Sequence, residues 1–275
     1  MTLFNRLGYV GVGLLLATSQ LMAQSSKIEA DAAQHRNITL SLGLSRVAAK
    51  DYSASPLLYT GTAPRVEVGY EWGRAATVSS ALAINYRGGT ITNTTPGPSG
   101  FTVHNGSIHY HRLKAVGAQK RLWVGGSSTI FARVRVHDFY DNNFLSYDIG
   151  WNVGVAAAYQ QPITDRLAAR LHVNLPLVAY YVRPVYGFNF PENFLTEEHY
   201  NARLDGVYGA LLTSGEIVSF NKYFELNTGI SIAYQLNYVL SEIRLNYQWN
   251  YAQFESLESS YFGEQALSLS FVRNL

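Results

Sequence analysis

The feature that most limits the fold of this chain is a period of two in hydrophobicity, which recurs from Asn37 to the C-terminal end. Side chains of a β-strand point alternately to its two faces, so this period predicts strands with one apolar and one polar face. The pattern appears in ten segments, at roughly 38–45, 65–73, 82–87, 107–118, 130–137, 147–159, 167–177, 202–220, 224–238 and 266–271. The chain is therefore predicted to be an all-β protein of about ten strands.

The links between these segments alternate between long and short. Long polar loops are predicted at roughly 47–63, 88–105, 138–146, 182–201 and 240–259. Short turns are predicted near Gly73-Arg74, Val124-Gly125-Gly126, Gln161-Pro162 and Asn221-Lys222. An up-and-down barrel with an even number of strands has this arrangement, because its long loops lie at one end and its tight turns at the other.

The composition favours a membrane barrel over a soluble one. Only 15% of the residues are Asp, Glu, Lys or Arg, whereas an ordinary soluble domain has about a quarter. The polar face of the strands is mostly Gly, Ser, Thr, Asn and Ala, which suits a narrow lumen, while the apolar face suits lipid. We therefore predict a transmembrane antiparallel up-and-down β-barrel, with eight or twelve strands as the nearest alternatives.

Aromatic residues are predicted to form a belt at each membrane surface, as is typical of such barrels. The predicted loop-end belt consists of Tyr86, Tyr110, Tyr140, Tyr147, Tyr181, Tyr238 and Tyr261. The predicted turn-end belt consists of Tyr70, Trp72, Trp123, Tyr159, Phe220, Phe224 and Phe271.

Charge and cysteine content exclude several functions. The formal net charge of +2 argues against a nucleic-acid partner, which would need a strongly basic face. The chain has no cysteine, which excludes a disulfide scaffold, a thiolate metal site and a cysteine nucleophile. No sequence motif implies a cofactor.

The first residues have the layout of a secretory signal peptide, with a basic start, an apolar stretch from Leu7 to Ala17 and a small residue at Ala23. We predict a signal peptide at 1–23, a flexible leader at 24–35 and a barrel domain at 36–275. Together with the ten alternating strands and the C-terminal strand Gln265–Phe271, this resembles the small porin-like outer-membrane β-barrel proteins of Gram-negative bacteria. The resemblance implies multi-pass insertion in the outer membrane, contact with its lipids, and folding by the barrel-assembly machinery. It leaves the oligomeric state open.

Charged residues on the predicted lumen face form the first candidate site. They carry both signs, so they could select solutes at a constriction or pair with one another as a plug, and we favour the plug. The candidates are Arg65, Glu67, Glu71, Arg133, Arg135, Arg170 and Glu225.

A second candidate site lies near the predicted loop ends, where His109, His111, His137 and Asp148 face the lumen beside Arg87. Three imidazoles and a carboxylate could bind zinc, act as a proton relay, or form a hydrogen-bonded network, and we favour the network. The register of His109 depends on a β-bulge predicted near Leu113, since a regular strand would turn Lys114 toward lipid.

Three functions are consistent with these features. The favoured one is a porin-like barrel without catalysis, which passes small solutes or has a structural role in the membrane. The alternatives are a surface binding or adhesion module that uses the long loops, and a rim-sited hydrolase or metal binder.

Overall fold

The computed structural model describes residues 34–52, 55–74, 77–94, 100–137, 145–183, 215–236, 240–255 and 259–275. The predicted signal peptide lies outside these residues, as does the leader up to residue 33. Gln34 and His35, the last residues of the predicted leader, belong to the first strand.

The described residues contain only β-strands as regular structure. Their bounds are β1 Gln34–Asp51, β2 Ser55–Arg74, β3 Val78–Thr92, β4 Gly100–Val116, β5 Leu122–His137, β6 Leu145–Pro162, β7 Leu167–Val182, β8 Glu216–Ser219, β9 Tyr223–Gln235, β10 Glu242–Phe254 and β11 Ser260–Asn274. In this part of the chain there is no helix long and apolar enough to cross a membrane.

The strands form a closed antiparallel barrel in chain order. Each strand from β1 to β7 pairs with the next, and β11 pairs with both β10 and β1, which closes the sheet. The short β8 and the longer β9 pair with successive parts of β7, so together they form one barrel strand. The prediction of a ten-stranded up-and-down barrel is confirmed.

The alternation of side chains is also confirmed. On β1 the predicted apolar residues Ile38, Leu40, Leu42 and Leu44 are exposed on the outer wall, while Ser41 and Ser45 are buried inside. The same division continues around the barrel. Because soluble proteins rarely expose such a continuous band of aliphatic side chains to water, the outer wall is a lipid-facing surface.

The strands are longer than predicted. Apart from β8 they have 13 to 20 residues, whereas about 9–11 tilted residues cross a bilayer. The predicted loops at 47–63 and 88–105 are therefore too long. β1 extends to Asp51 and β2 begins at Ser55, while β3 extends to Thr92 and β4 begins at Gly100. The inward residues of these extensions are apolar, and this hid the alternation there.

The predicted strand and loop assignments near the C-terminus are wrong in three places. The predicted loop at 240–259 contains β10, in which Ile243, Leu245, Tyr247, Trp249 and Tyr251 alternate with inward, mostly polar residues. The predicted turn at Asn221-Lys222 lies within one barrel strand, between β8 and β9. The predicted strand at 202–220 matches only Glu216–Ser219, and residues 202–214 lie outside the described part of the chain.

The hairpin between β4 and β5 also differs from the prediction. The predicted turn at Val124–Gly126 lies inside β5, and the real turn is at 117–121, where Gly117 has φ 78° and Lys120 has φ 52°. The register between β3 and β4 runs without a shift through Leu113. The predicted bulge is therefore absent, and Lys114 does face outward and is exposed.

Candidate functional site: the barrel lumen

The loop end of the lumen is filled by two clusters of apolar and aromatic side chains. The first cluster comprises Val47, Ala49, Tyr59, Ala63, Ile91, Phe101, Val103, Ala252 and Phe262. The second comprises Phe131, Ala179, Tyr181, Val218, Tyr223 and Phe254. In the second cluster the rings of Tyr181 and Phe254 are stacked at 4.3 Å between centroids. Tyr181 was predicted in an outer belt, but it packs inside because a register shift between β6 and β7, at Val153/Gly154, changes which residues of β7 face the lumen.

Four charged residues form a closed quartet between these clusters, and we call Asp51, Arg135, Asp148 and Arg183 the loop-end quartet. Arg135 binds Asp148 and places its Nε 3.3 Å from Asp51 Oδ2. Arg183 binds Asp51 and donates from Nη1 to Asp148 Oδ1 at 2.6 Å. Burial disfavours the charged form of Arg183, but Asp148 and Asp51 outweigh this and hold its pKa above the ordinary value.

The loop-end quartet crosses the lumen. Asp51 is at the end of β1 and Arg135 is on β5, and three strands separate β1 from β5 in the sheet. In a ten-stranded barrel these strands lie on nearly opposite walls. Side chains from opposite walls therefore meet at the centre of the lumen.

A row of long polar side chains lies in the middle of the barrel, and we call it the central row. Arg65, Arg87, Asn105 and Arg133 are direct register partners on β2, β3, β4 and β5. All four are buried. Arg65 and Arg87 are adjacent and Arg133 follows beyond Asn105, so the three guanidinium groups would repel one another at low dielectric unless carboxylates face them.

Three glutamates provide that compensation. Glu264 lies 2.8 Å from Arg87 and 3.7 Å from Arg65, and it also accepts a hydrogen bond from Ser45 at 2.7 Å. Glu67 is 2.7 Å from Arg65. On the other side of the lumen, Glu225 is 3.5 Å from Arg133. Three arginines thus face three glutamates, and this level has no net charge.

Below the central row lies a polar chamber with a volume of about 290 Å³. Its lining includes His109, His111 and His172, together with Asn and Ser side chains from most strands. Two buried donors of the central row, Arg87 Nε and Asn105 Nδ2, have no hydrogen-bond partner within the described structure. A chamber of this volume is large enough for water or one small solute, which could accept hydrogen bonds from these two donors.

The floor of the chamber is a second ionic constriction, formed by Glu71, Arg170, Glu242 and Arg244. Glu71 lies 3.9 Å from Arg170 and 3.7 Å from Arg244, and Arg244 also binds Glu242. Glu71 on β2 and Arg170 on β7 are five strands apart in the closed order, so they come from opposite walls. A second cavity of about 230 Å³ lies beyond this floor, lined by residues of the turn end.

The four residues of the predicted rim site do not come together. His109 and His111 lie in the chamber, with ring centroids 5.5 Å apart and His109 Nδ1 2.8 Å from Thr129 Oγ1. His137 is eight positions along β5 from Thr129, a separation of about 26 Å in an extended strand. Asp148 belongs to the loop-end quartet.

The predicted rim site is therefore two separate places rather than one metal or catalytic centre. Over the described ranges, no three His, Cys, Asp or Glu side chains are grouped so as to hold a metal ion. His137 instead packs against Phe101, with ring centroids 4.6 Å apart. The distance arises because β4 is regular, which sets the two histidines of β4 near the turn end.

The predicted lumen charges all point inward, but they are divided among three levels. Arg135 is in the loop-end quartet, and Glu71 and Arg170 form part of the floor. The remaining four, Arg65, Glu67, Arg133 and Glu225, belong to the central level. Sequence reasoning missed their partners Asp51, Glu242, Arg244 and Glu264, because it placed the first three in loops and began the last strand after Glu264. Glu264 is spaced an even number of residues from Ser268 and Ser270, so it lies on the same face of β11, and this spacing was the signal that could have found it.

Three solved structures illustrate what the chain is similar to. The outer membrane protease OmpT from Escherichia coli is 6% identical, with 88% of this chain and 97% of that chain covered and a TM-score of 0.46. The β-domain of the Bordetella autotransporter BrkA is 11% identical, covering 89% and 98%, with a TM-score of 0.41. An outer membrane channel from Pseudomonas putida F1 is 6% identical, covering 91% and 98%, with a TM-score of 0.39.

No protein-family model and no curated protein matches the chain. The closed antiparallel sheet with its apolar outer wall is the architecture of a transmembrane β-barrel.

Proposed function

We propose that this chain is a non-catalytic, porin-like outer-membrane barrel whose lumen is closed, so that it gives no free passage to solutes. The contact between Asp51 and Arg135 carries the proposal, because it joins nearly opposite walls across the loop end. Apolar side chains fill the space around it. The role that remains is structural, or the holding of a small solute in the chamber.

The charge distribution supports a plug rather than a selectivity filter. A filter that selects by charge presents side chains of one sign to the permeating ion. Here the loop-end quartet has two arginines and two aspartates, and the central level has equal numbers of arginines and glutamates. Paired charges leave no uniform field along the lumen.

The state of the buried carboxylates supports the absence of catalysis. Asp51, Asp148, Glu225 and Glu264 each pair with an arginine in the lumen. Because arginine side chains occupy these carboxylates, none of the four is placed to take a proton from a substrate.

Osmotic swelling of proteoliposomes tests the closed lumen. Vesicles that contain the folded wild-type protein should swell in arabinose no faster than protein-free vesicles, while vesicles with a general porin swell rapidly. A swelling rate that falls as the solute becomes larger would show an open pore and overturn the proposal.

The absence of catalysis has its own test. Wild-type protein and His137→Ala should release the same background amount of product from a panel of peptides and phospholipid esters. Turnover by the wild type that is lost in the variant would establish an enzyme.

A further inference from the structure

The chamber below the central row is lined by polar groups that the barrel itself leaves without partners. Arg87 Nε and Asn105 Nδ2 have no hydrogen-bond partner among the described residues, and the same holds for Asn250 Oδ1 and His111 Nε2. All four residues line the chamber. Because a buried polar atom without a partner is unfavourable, these atoms indicate a ligand that supplies the missing hydrogen bonds.

Three of these atoms lie at the upper end of the chamber. Arg87 and Asn105 are direct register partners on β3 and β4, and they are only 7% and 3% exposed. Asn250 on β10 is the register partner of Glu264, whose carboxylate lies 2.8 Å from Arg87. Two donors and one acceptor are thus available at this level, so the ligand has to both accept and donate hydrogen bonds.

The ion pairs around the chamber are balanced in charge. Five arginines line the chamber, and each of them pairs with a glutamate. The pairs are Arg65–Glu67, Arg87–Glu264, Arg133–Glu225, Arg170–Glu71 and Arg244–Glu242. A charged ligand would lose its water of hydration here without meeting an arginine or glutamate that lacks a counter-charge. The chamber therefore favours a neutral ligand over an anion or a cation.

The uncharged part of the lining suits hydroxyl groups. Amide and hydroxyl side chains from six strands line the chamber, namely Asn85, Ser107, Thr129, Asn174, Asn227 and Gln248. Such groups both donate and accept hydrogen bonds, as the hydroxyls of a sugar do. The volume of about 290 Å³ is close to the lower end of the range for ligand pockets, about 300 Å³. It suits a single sugar ring rather than an oligosaccharide.

The floor is the more open end of the chamber. Its side chains Glu71, Arg244 and Arg170 are 17%, 21% and 27% exposed, whereas those of the loop-end quartet are between 2% and 7% exposed. Glu71 is held at 3.7 and 3.9 Å, longer than the roughly 3 Å of a direct N–H···O hydrogen bond. The same three residues line both the chamber and the second cavity. The floor is thus the weaker of the two barriers to the chamber.

We propose that the chamber binds one neutral polyhydroxylated solute of the size of a monosaccharide, which enters from the turn end through the floor. An oxygen of the solute accepts hydrogen bonds from Arg87 Nε and Asn105 Nδ2, and one of its hydroxyls donates to Asn250 Oδ1. The inference rests on the proposed function and deepens it, because it names the class of solute that a lumen closed at the loop end would hold.

Equilibrium dialysis of the folded wild-type protein with radiolabelled glucose tests the site. The detergent is an amine oxide, because maltoside detergents themselves carry sugar groups. Binding should saturate at one glucose per chain. Glucuronate and glucosamine have the same ring with one negative or one positive charge, and each should compete about tenfold less well than glucose. Absence of saturable glucose binding, or binding of either charged sugar as tight as that of glucose, would overturn the proposal.

Variants of the lining locate the bound glucose. Asn105→Leu removes the amide with little change in volume and should weaken glucose binding about 5-fold, which corresponds to one hydrogen bond. Asn274→Leu is the matched control, because this exposed residue at the turn end lines neither cavity and should leave the affinity unchanged. Ala83→Leu fills part of the chamber from β3 and should weaken binding about tenfold.

Folding of each variant is verified by a heat-dependent gel shift, and Ala83→Leu replaces Asn105→Leu if the latter does not fold. Wild-type affinity in the folded lining variants would overturn the proposal. Glu71→Gln should shorten the half-time of glucose uptake about tenfold, and an unchanged half-time would overturn entry through the floor.

Failure of this inference can be told apart from failure of the closed lumen. Dialysis in detergent measures binding whether or not the barrel conducts, whereas the swelling of proteoliposomes in arabinose measures passage alone. Swelling would overturn the closed lumen. Absence of glucose binding by a protein that gives no swelling would overturn only the solute site.

Discussion

The guanidinium of Arg87 and the carboxylate of Glu264 are 2.8 Å apart inside the barrel, although their strands are not neighbours. Arg87 is on β3 and Glu264 is on β11, with β2 and β1 between them. Both side chains are less than a tenth exposed. The ion pair therefore crosses part of the lumen and ties the closing seam of the barrel to its interior.

Glu264→Gln should destabilise the barrel. It leaves Arg87 and Arg65 facing each other without their shared carboxylate, and loss of one partner from a buried pair costs about 3–5 kcal/mol. The free energy of unfolding in urea, measured in lipid vesicles, gives the change. Glu216→Gln is the matched control, because its ion pair with Lys222 is exposed and should contribute less than about 1 kcal/mol. Equal losses for the two variants would contradict the central role of Glu264.

Glu71→Gln should loosen the floor of the chamber. Arg170 and Arg244 then lose the carboxylate that lies between them. The chain has no cysteine, so a single Ser107→Cys reports the accessibility of the chamber to a hydrophilic maleimide. Labelling should be slow with the native floor and about tenfold faster with Glu71→Gln, which corresponds to a change of about 1.4 kcal/mol in the opening equilibrium. An unchanged rate would show that Glu71 does not restrict access.

Lysine substitutions at two neighbouring residues of β3 should differ strongly in their effect on the free energy of unfolding. Ile84 is 55% exposed on the lipid face, whereas Asn85 lines the chamber. Ile84→Lys should cost about 2–4 kcal/mol near the middle of the bilayer, and Asn85→Lys should cost clearly less because the chamber is polar. The same unfolding measurement decides, and the reverse order would mean that the two faces are assigned incorrectly.

Gly43, at the seam between β1 and β11, should be sensitive to substitution by alanine. A Cβ at Gly43 would lie 2.3 Å from the carbonyl oxygen of Leu267, so Gly43→Ala should cost about 1–3 kcal/mol through overpacking. At Gly106 the nearest atom would be 3.8 Å away, and Gly106→Ala serves as the control. The temperature at which the folded gel band disappears should fall for Gly43→Ala and stay unchanged for the control.

Much of the fold could be predicted because lipid outside and a narrow lumen inside impose a strict period of two. On β1 the alternation of Leu42 and Leu44 with Gly43 and Ser45 identifies the strand and both of its faces. Above the membrane this constraint is weaker, because the outer wall meets water and the lumen holds apolar residues. Val47 and Ala49 therefore looked like loop residues although they continue β1 into the first apolar cluster.

The candidate site was predictable residue by residue but not as a set of contacts. Inward phase identifies Arg65, Arg133 and Glu225 correctly, because phase depends only on the local strand. Contacts across the lumen depend on the register of every intervening strand and on the barrel's shear. A prediction made strand by strand therefore grouped His137 with His111, which the regular register of β4 and β5 sets far apart.

The most direct test of the closed lumen is the single-channel current of the wild-type protein in a planar bilayer. We expect no conductance steps at any applied voltage, because the loop-end quartet and the floor each join opposite walls. The variant Asp51→Ala, Arg135→Ala, Glu71→Ala removes contacts at both levels and should show more frequent current events than the wild type. Stable, regular conductance steps from the wild type would contradict the account.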